Sequence, residues 1–211
     1  MTLEEKLKGG TQYRDFSALE PQDEMVVEGY ATTFESPYLL FRDGEYEVYE
    51  QIAREAFDAA NMKDVCLQYN HEGRVFARTT NGTLTVNTDE RGLHIRALLG
   101  GTELGRQLYE EIKGGYTNKM SFGFTVDEDK REITEEGNNV RILRTIMKIG
   151  RLYDVSAVSI PANDGTNISA RSYGAECVAE VAEEFRKRNE RKAQIERIKA
   201  LTEVDYGNEI H

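Results

Sequence analysis

The chain has 211 residues, enough to bury one substantial core, and at 39% hydrophobic and 31% charged it has the composition of a polar globular protein. A mean hydropathy of −0.61, with no apolar run of spanning length, excludes a membrane protein. A net charge of −11 argues against nucleic acid as a partner, because phosphate binding needs a concentrated basic surface.

Residues 1–24 are polar and weakly patterned and read as a flexible N-terminal arm; the start, Met1-Thr2-Leu3-Glu4, lacks the apolar core of a secretory signal, so a cytoplasmic origin is expected. From Met25 the texture changes to short apolar runs between turn residues. Met25 to Ala31 and Tyr46 to Glu50 predict strands, and Ala53 to Ala60 is helix-prone. Further strands are predicted at Val65 to Tyr69, Gly82 to Val86 and Leu93 to Leu99, the last preceded by the hairpin turn Asp89-Glu90-Arg91-Gly92. Thr102 caps a helix in which Leu104, Leu108 and Ile112 share one face, and Gly114-Gly115 ends it.

Strands resume at Ser121 to Val126, Val140 to Leu143 and Leu152 to Ile160, where Pro161 stops the run. The acidic groups Asp127-Glu128-Asp129 and Glu135-Glu136 read as turns and loops. Many short strands with a few helices predict an α+β protein, mainly an antiparallel β-barrel, closed or nearly so, ringed by helices. That domain spans 25–173. Residues 174–211 then read as a C-terminal helical tail with a narrow apolar stripe of Val178, Val181, Phe185, Ile195, Ile198 and Leu201. Its basic stretch from Arg186 to Lys192 is interleaved with acidic and amide residues, as on a solvated helix face.

The inventory of reactive side chains is small. Cys66 and Cys177 sit in unrelated contexts and read as reduced thiols, Cys66 as core packing. With no HExxH and no paired cysteines there is no zinc set, and no Gly-Lys-Ser/Thr follows the glycine pairs, so no cofactor is expected. Of three histidines, His94 falls on the polar phase of its strand and His211 is terminal. His71 closes a strand whose Val65, Leu67 and Tyr69 share its phase, where a partly shielded imidazole suits a general base; it also fits a core histidine bonded to a carbonyl.

Ser121 alternates with Phe122, Phe124 and Val126, and Gly123 beside it leaves a path for substrate; a plain polar strand residue gives the same pattern. No Gly-x-Ser-x-Gly elbow surrounds it. Asp154 lies in a strand apolar on both faces, where a carboxylate must be paired. Its partner is an imidazole in a triad, or else Arg141, Arg144 or Arg151. Ser156, in the same phase, is an alternative group for holding the histidine.

Several segments together resemble the prohead (capsid-maturation) proteases of tailed bacteriophages, a family related to the herpesvirus assemblins. They run in order: Gly29-Tyr30-Ala31 with Phe34, Glu50 leading to Ala56-Phe57, Asn70-His71, Gly82-Thr83-Leu84 and Asp89-x-Arg91-Gly92-Leu93. Met120-Ser121-Phe122-Gly123-Phe124 and Leu152-x-Asp154-Val155-Ser156-x-Val158, ending in Pro161-Ala162-Asn163, complete the set. The resemblance implies a serine endopeptidase with a herpesvirus-protease-like barrel, acting in the host cytoplasm inside the immature procapsid and encoded by a phage or prophage. Its implied partners are the major capsid protein and its scaffold segment, with itself as a further substrate and a homodimer as a possible form; neither nucleic acid nor membrane is implied.

On this resemblance His71 is the base, Ser121 the nucleophile and Asp154 the third member, where the phage family more often has glutamate and the assemblins a second histidine. The Pro161-Ala162-Asn163 loop is a candidate for the oxyanion groups. The tail from Ala175 lies outside the resemblance and reads as a docking or self-cleaved segment. The competing readings are a non-catalytic scaffold or capsid-assembly protein that keeps the fold, and an acyl hydrolase using the same pair.

Overall fold

The longest strand of the protein organises the rest. In the computed structural model, which describes residues 12–21, 23–137, 139–159 and 168–207, strand β11 (Asn139–Val158) runs for 20 residues. It pairs antiparallel along its length with β10 (Lys119–Glu136). The reversal between them includes Gly137 at φ 63°, a left-handed conformation that glycine adopts without a Cβ penalty. The acidic groups around Asp127 and Glu135 therefore lie within β10, not in turns. Beyond Val126 that strand leaves the main core and becomes mostly exposed, so it carries charge without ceasing to pair.

The other edge of β11 takes two partners in succession. Val140 to Ile146 pairs parallel with β5 (Tyr46–Ile52), and Asp154 to Ala157 pairs parallel with β6 (Cys66–Tyr69). Strand β4 (Tyr38–Asp43) adds to β5, β7 (Glu72–Arg78) adds to β6, and β1 (Gln12–Ala18) adds to the free edge of β10. A second sheet has the order β2-β3-β9-β8, from Glu20–Pro21, Val26–Thr33, Gly92–Leu98 and Leu84–Thr88.

The expected barrel is thus corrected on two counts. Among the described residues the sheets are linked by one isolated bridge, Phe34 to Ile52, and not by a ladder, so they do not close. The larger sheet is also mixed, because β5 and β6 both run parallel to β11. Local alternation carries no information about strand direction, which is why the sequence reading missed it.

Residues 53–60, expected as helix, form successive turns instead. Their backbone groups are taken by β11: Ala53 N–H donates to the Ile146 carbonyl at 2.9 Å, and the Ala56 carbonyl accepts from Ile149 N–H at 2.8 Å. Tertiary hydrogen bonding outweighs helix propensity here. The predicted helix does form as α1 (Glu103–Lys113), with Thr102 Oγ1 accepting the Gly105 amide at 2.9 Å. Leu108 and Ile112 are buried, while Leu104 stays 37% exposed.

The first 24 residues are not all an arm. Gln12 to Ala18 forms the edge strand β1, and Gln12 and Arg14 are buried. They belong to a charge cluster around Glu50, which has no exposed surface. Arg14 and Tyr38 both donate to Glu50 Oε1, Arg14 Nη2 donates to Oε2 at 3.0 Å, and Arg144 Nη1 donates to Oε2 at 2.8 Å. Gln12 Oε1 accepts from both guanidiniums at 3.0 Å, and Arg144 Nε donates to Asp129. Burial raises the Glu50 carboxyl, but the two arginines more than offset this and hold it at about 2.

Helix α2 (Ile168–Gly207) starts earlier than the sequence boundary at 174 and is only partly a free tail. Tyr173, Cys177, Val178 and Val181 pack on Leu40, Val48, Val140 and Ile142 in a second apolar cluster. Gly174 crosses β4 so closely that a Cβ there would lie 2.2 Å from Phe41 Cβ. Farther along, Ile195 and Ile198 are 44% and 61% exposed, and Arg188 forks onto Glu135 at 2.9 and 3.0 Å. Leu201 lies outside the residues whose side chains are described.

Replacing Glu50 by Gln leaves two buried guanidiniums without their carboxylate, and denaturant unfolding is expected to show a loss of about 3 kcal/mol. Because the Glu50 carboxyl is depressed in the fold, its contribution is fully present above its ordinary value of 4.5 and is lost as pH falls toward 2. Acid titration of stability in that window should therefore be flatter in Glu50→Gln than in the wild type.

Candidate active site

Three neighbouring strands carry the site. In the β10–β11 register Ser121 stands opposite Ser156 and Gly123 opposite Asp154, so Ser121, Asp154 and Ser156 share one face of the sheet. On the far edge of β11, β6 places Cys66 opposite Asp154 and Gln68 opposite Ser156, and its end at Tyr69 leads into a two-residue turn. That turn is Asn70-His71, closed by the pair Tyr69 and Glu72. Both residues have positive φ, 51° and 60°, as a two-residue type I′ hairpin loop requires.

His71 is therefore aimed by a turn and not by strand phase, contrary to the sequence reading. Its ring spans the gap across the sheet. Nε2 lies 2.6 Å from Ser121 Oγ, and Nδ1 lies 2.6 Å from Asp154 Oδ1. The side chains of His71 and Asp154 are 16% and 6% exposed, and Ser121 has no exposed surface. The three residues singled out in the sequence are thus brought into one hydrogen-bonded line.

The arginine alternative for Asp154 is not realised. Arg144 is committed to Glu50 and Asp129, while the Arg141 and Arg151 guanidiniums stack over Tyr49 and Tyr153 at 4.3 and 4.7 Å. Ser156 does contact the histidine, but through the backbone: its Oγ accepts the His71 amide at 3.3 Å and donates to Asp154 Oδ1 at 2.8 Å. Asn70, which the sequence reading did not assign a role, fixes the turn. Its amide donates to the Ala157 carbonyl at 2.9 Å, and its side-chain Oδ1 accepts the Ser159 amide at 3.1 Å. The available signal was asparagine at the first position of a two-residue loop, obscured because the second position holds histidine where glycine is usual.

His94 sits on the other sheet with its ring edge-on to Tyr30, 5.1 Å between centroids. Cys66 is half-buried, and burial pushes its thiol up, away from a reactive thiolate. His211 and the Pro161-Ala162-Asn163 loop lie outside the described residues. Just before the Asn70-His71 turn, Tyr69 lines a groove of about 200 Å³ with Phe76, Leu104, Gln107, Leu108 and Glu111.

A base between a hydroxyl and a buried carboxylate has the arrangement needed for acyl transfer: one nitrogen faces the proton to be removed, and the other is fixed by an acceptor. Among solved structures, the bacteriophage T4 capsid assembly protease gp21 aligns at a TM-score of 0.41 and 12% identity, covering 72% of this chain and 98% of that one. No curated protein matches the chain in sequence. The sequence does match the caudovirus prohead serine protease family over residues 13–184, a span that takes in both sheets, except for Gln12, and most of the packed part of α2. The chain belongs to the caudovirus prohead serine proteases.

Proposed function

We propose that the chain is a serine endopeptidase that uses Ser121, His71 and Asp154 to cleave capsid and scaffold polypeptides inside the immature prohead, and to cleave itself. The observation that carries this reading is the continuous line of hydrogen bonds from Ser121 Oγ through both nitrogens of His71 to Asp154 Oδ1, each 2.6 Å long. Family membership supports the reaction class and the prohead setting.

In the proposed reaction Ser121 Oγ attacks the scissile carbonyl while its proton passes to His71 Nε2. Asp154 accepts the Nδ1–H bond, which fixes the tautomer and stabilises the imidazolium as it forms. His71 then protonates the leaving amine, and a water activated by the same nitrogen releases the acyl group from Ser121. The short aspartate reaches the ring because Asp154 stands on the strand adjacent to both partners, next to β10 on one side and β6 on the other.

The functional body in this reading comprises both sheets together with the first turns of α2, and the distal part of that helix serves as the docking or removable element. Two observations support the division. The family match ends at residue 184, and the packed face of the helix ends close by, with Val181 buried, Phe185 half-buried on the same cluster and Ile195 exposed.

Co-expression with a capsid precursor, followed by intact-mass measurement, tests the catalytic reading. Ser121→Ala and His71→Ala should each reduce processing by at least about a thousandfold, and Asp154→Asn by about ten- to ten-thousandfold with the fold retained. Processing by Ser121→Ala at the wild-type rate would refute the assignment. Truncation after Glu190 should leave phosphonate labelling of Ser121 intact while lowering incorporation into proheads; unchanged incorporation would remove the docking role.

A further inference from the structure

We infer that Ser156 is a positioning residue that holds the acid and the base of the site together, an inference that rests on the catalytic reading above. Ser156 has no exposed surface, so its hydroxyl must find its partners within the protein. Both partners belong to the site. The hydroxyl donates to Asp154 Oδ1 at 2.8 Å and accepts the backbone N–H of His71 at 3.3 Å.

The His71 end of this contact needs support. Two successive non-glycine residues at positive φ are conformationally strained, and such a turn persists where its surroundings over-determine it. Here the strand after Asp154 supplies that restraint. Ser156 Oγ takes the His71 amide, the Ala157 carbonyl takes the Asn70 amide, and Ser159 exchanges bonds with the Asn70 side chain at 3.1 and 3.2 Å. Among these contacts Ser156 meets the amide of the histidine itself, the point nearest the ring.

The Asp154 end needs support for a different reason. A two-bond side chain on a neighbouring strand must be held in one rotamer to keep its oxygen 2.6 Å from Nδ1. The Ser156 hydroxyl and the imidazole N–H converge on the same oxygen, Oδ1. Two donors on one carboxylate oxygen fix its orientation. Alanine at 156 would leave the His71 amide without this acceptor and Oδ1 with one fewer donor, while changing little volume. The register gives the reason that one serine can do both: position 156 faces Ser121 across β10 and Gln68 across β6, at the crossing of the three strands that carry the site.

The test measures the second-order rate at which a serine-directed fluorophosphonate labels Ser121 in the full-length chain, located by peptide mass. Ser156→Ala should slow labelling about tenfold in the wild-type background but less than about threefold in an Asp154→Ala background, because the two residues act on one element. Ser156→Cys, which keeps the volume with a weaker donor, should fall between serine and alanine and serves if the alanine variant does not fold. Labelling of Ser156→Ala at the wild-type rate, or an equal loss in both backgrounds, would overturn the positioning role while leaving the catalytic reading in place. Wild-type label on a serine other than Ser121 would overturn the catalytic reading, and this inference with it.

Discussion

The carboxylate of Glu50 is the constraint on which most of the molecule depends. It is fully buried on β5, and it is tolerable there because Arg14 from β1, Arg144 from β11 and Tyr38 from β4 all donate to it. Gln12 bridges the two arginines, Asp129 on β10 takes the far side of Arg144, and the ring of Tyr173 on α2 lies 4.1 Å beneath that guanidinium. Six elements thus meet around one charge. Separating β1, β5 or β11 would leave a buried ion without its counter-charge, so the cluster ties those strands to one arrangement.

What this arrangement secures is the pairing of β11. One half of the strand is held beside β5 by the Glu50 cluster, and the other half is then in place to receive β6. Ser121 arrives from one side on β10 and His71 from the other on the turn after β6, while Asp154 and Ser156 lie between them on β11 itself. The site is therefore built mostly on strands, which fix positions better than loops. Its single turn-borne member is pinned to the central strand by Ser156, Ala157 and Ser159.

The same construction closes the site. Ser121, on an interior strand flanked by β1 and β11, has no exposed surface. The hydrogen-bonded line from Ser121 through His71 to Asp154 is formed within the sheet, shielded by the strands that carry it. Helix α2 shows a division along its length, with a first part packed into the sheet and a distal part in which Ile195 and Ile198 face solvent.

Much of this was legible in the sequence, and the rest was not for definite reasons. Alternation around Ser121 and Leu93, the Thr102 cap and the Asp89 turn are local signals, and each appears in the fold as read. Asp154 was recognisable as a carboxylate needing a partner because its strand is apolar on both faces. The ordered motifs then linked it with His71 and Ser121. Sequence therefore singled out the three side chains that the fold brings together, since that choice rests on residue type and near neighbours. Tertiary structure alone decided that β5 and β6 run parallel to β11, that Gln12 to Ala18 joins the sheet, and that Arg144 serves Glu50 and not Asp154. It also decided that His71 is aimed by a left-handed turn held by Ser156. Those choices depend on register between segments far apart in the chain, and a one-residue shift would turn every side chain to the opposite face, which no local pattern can report.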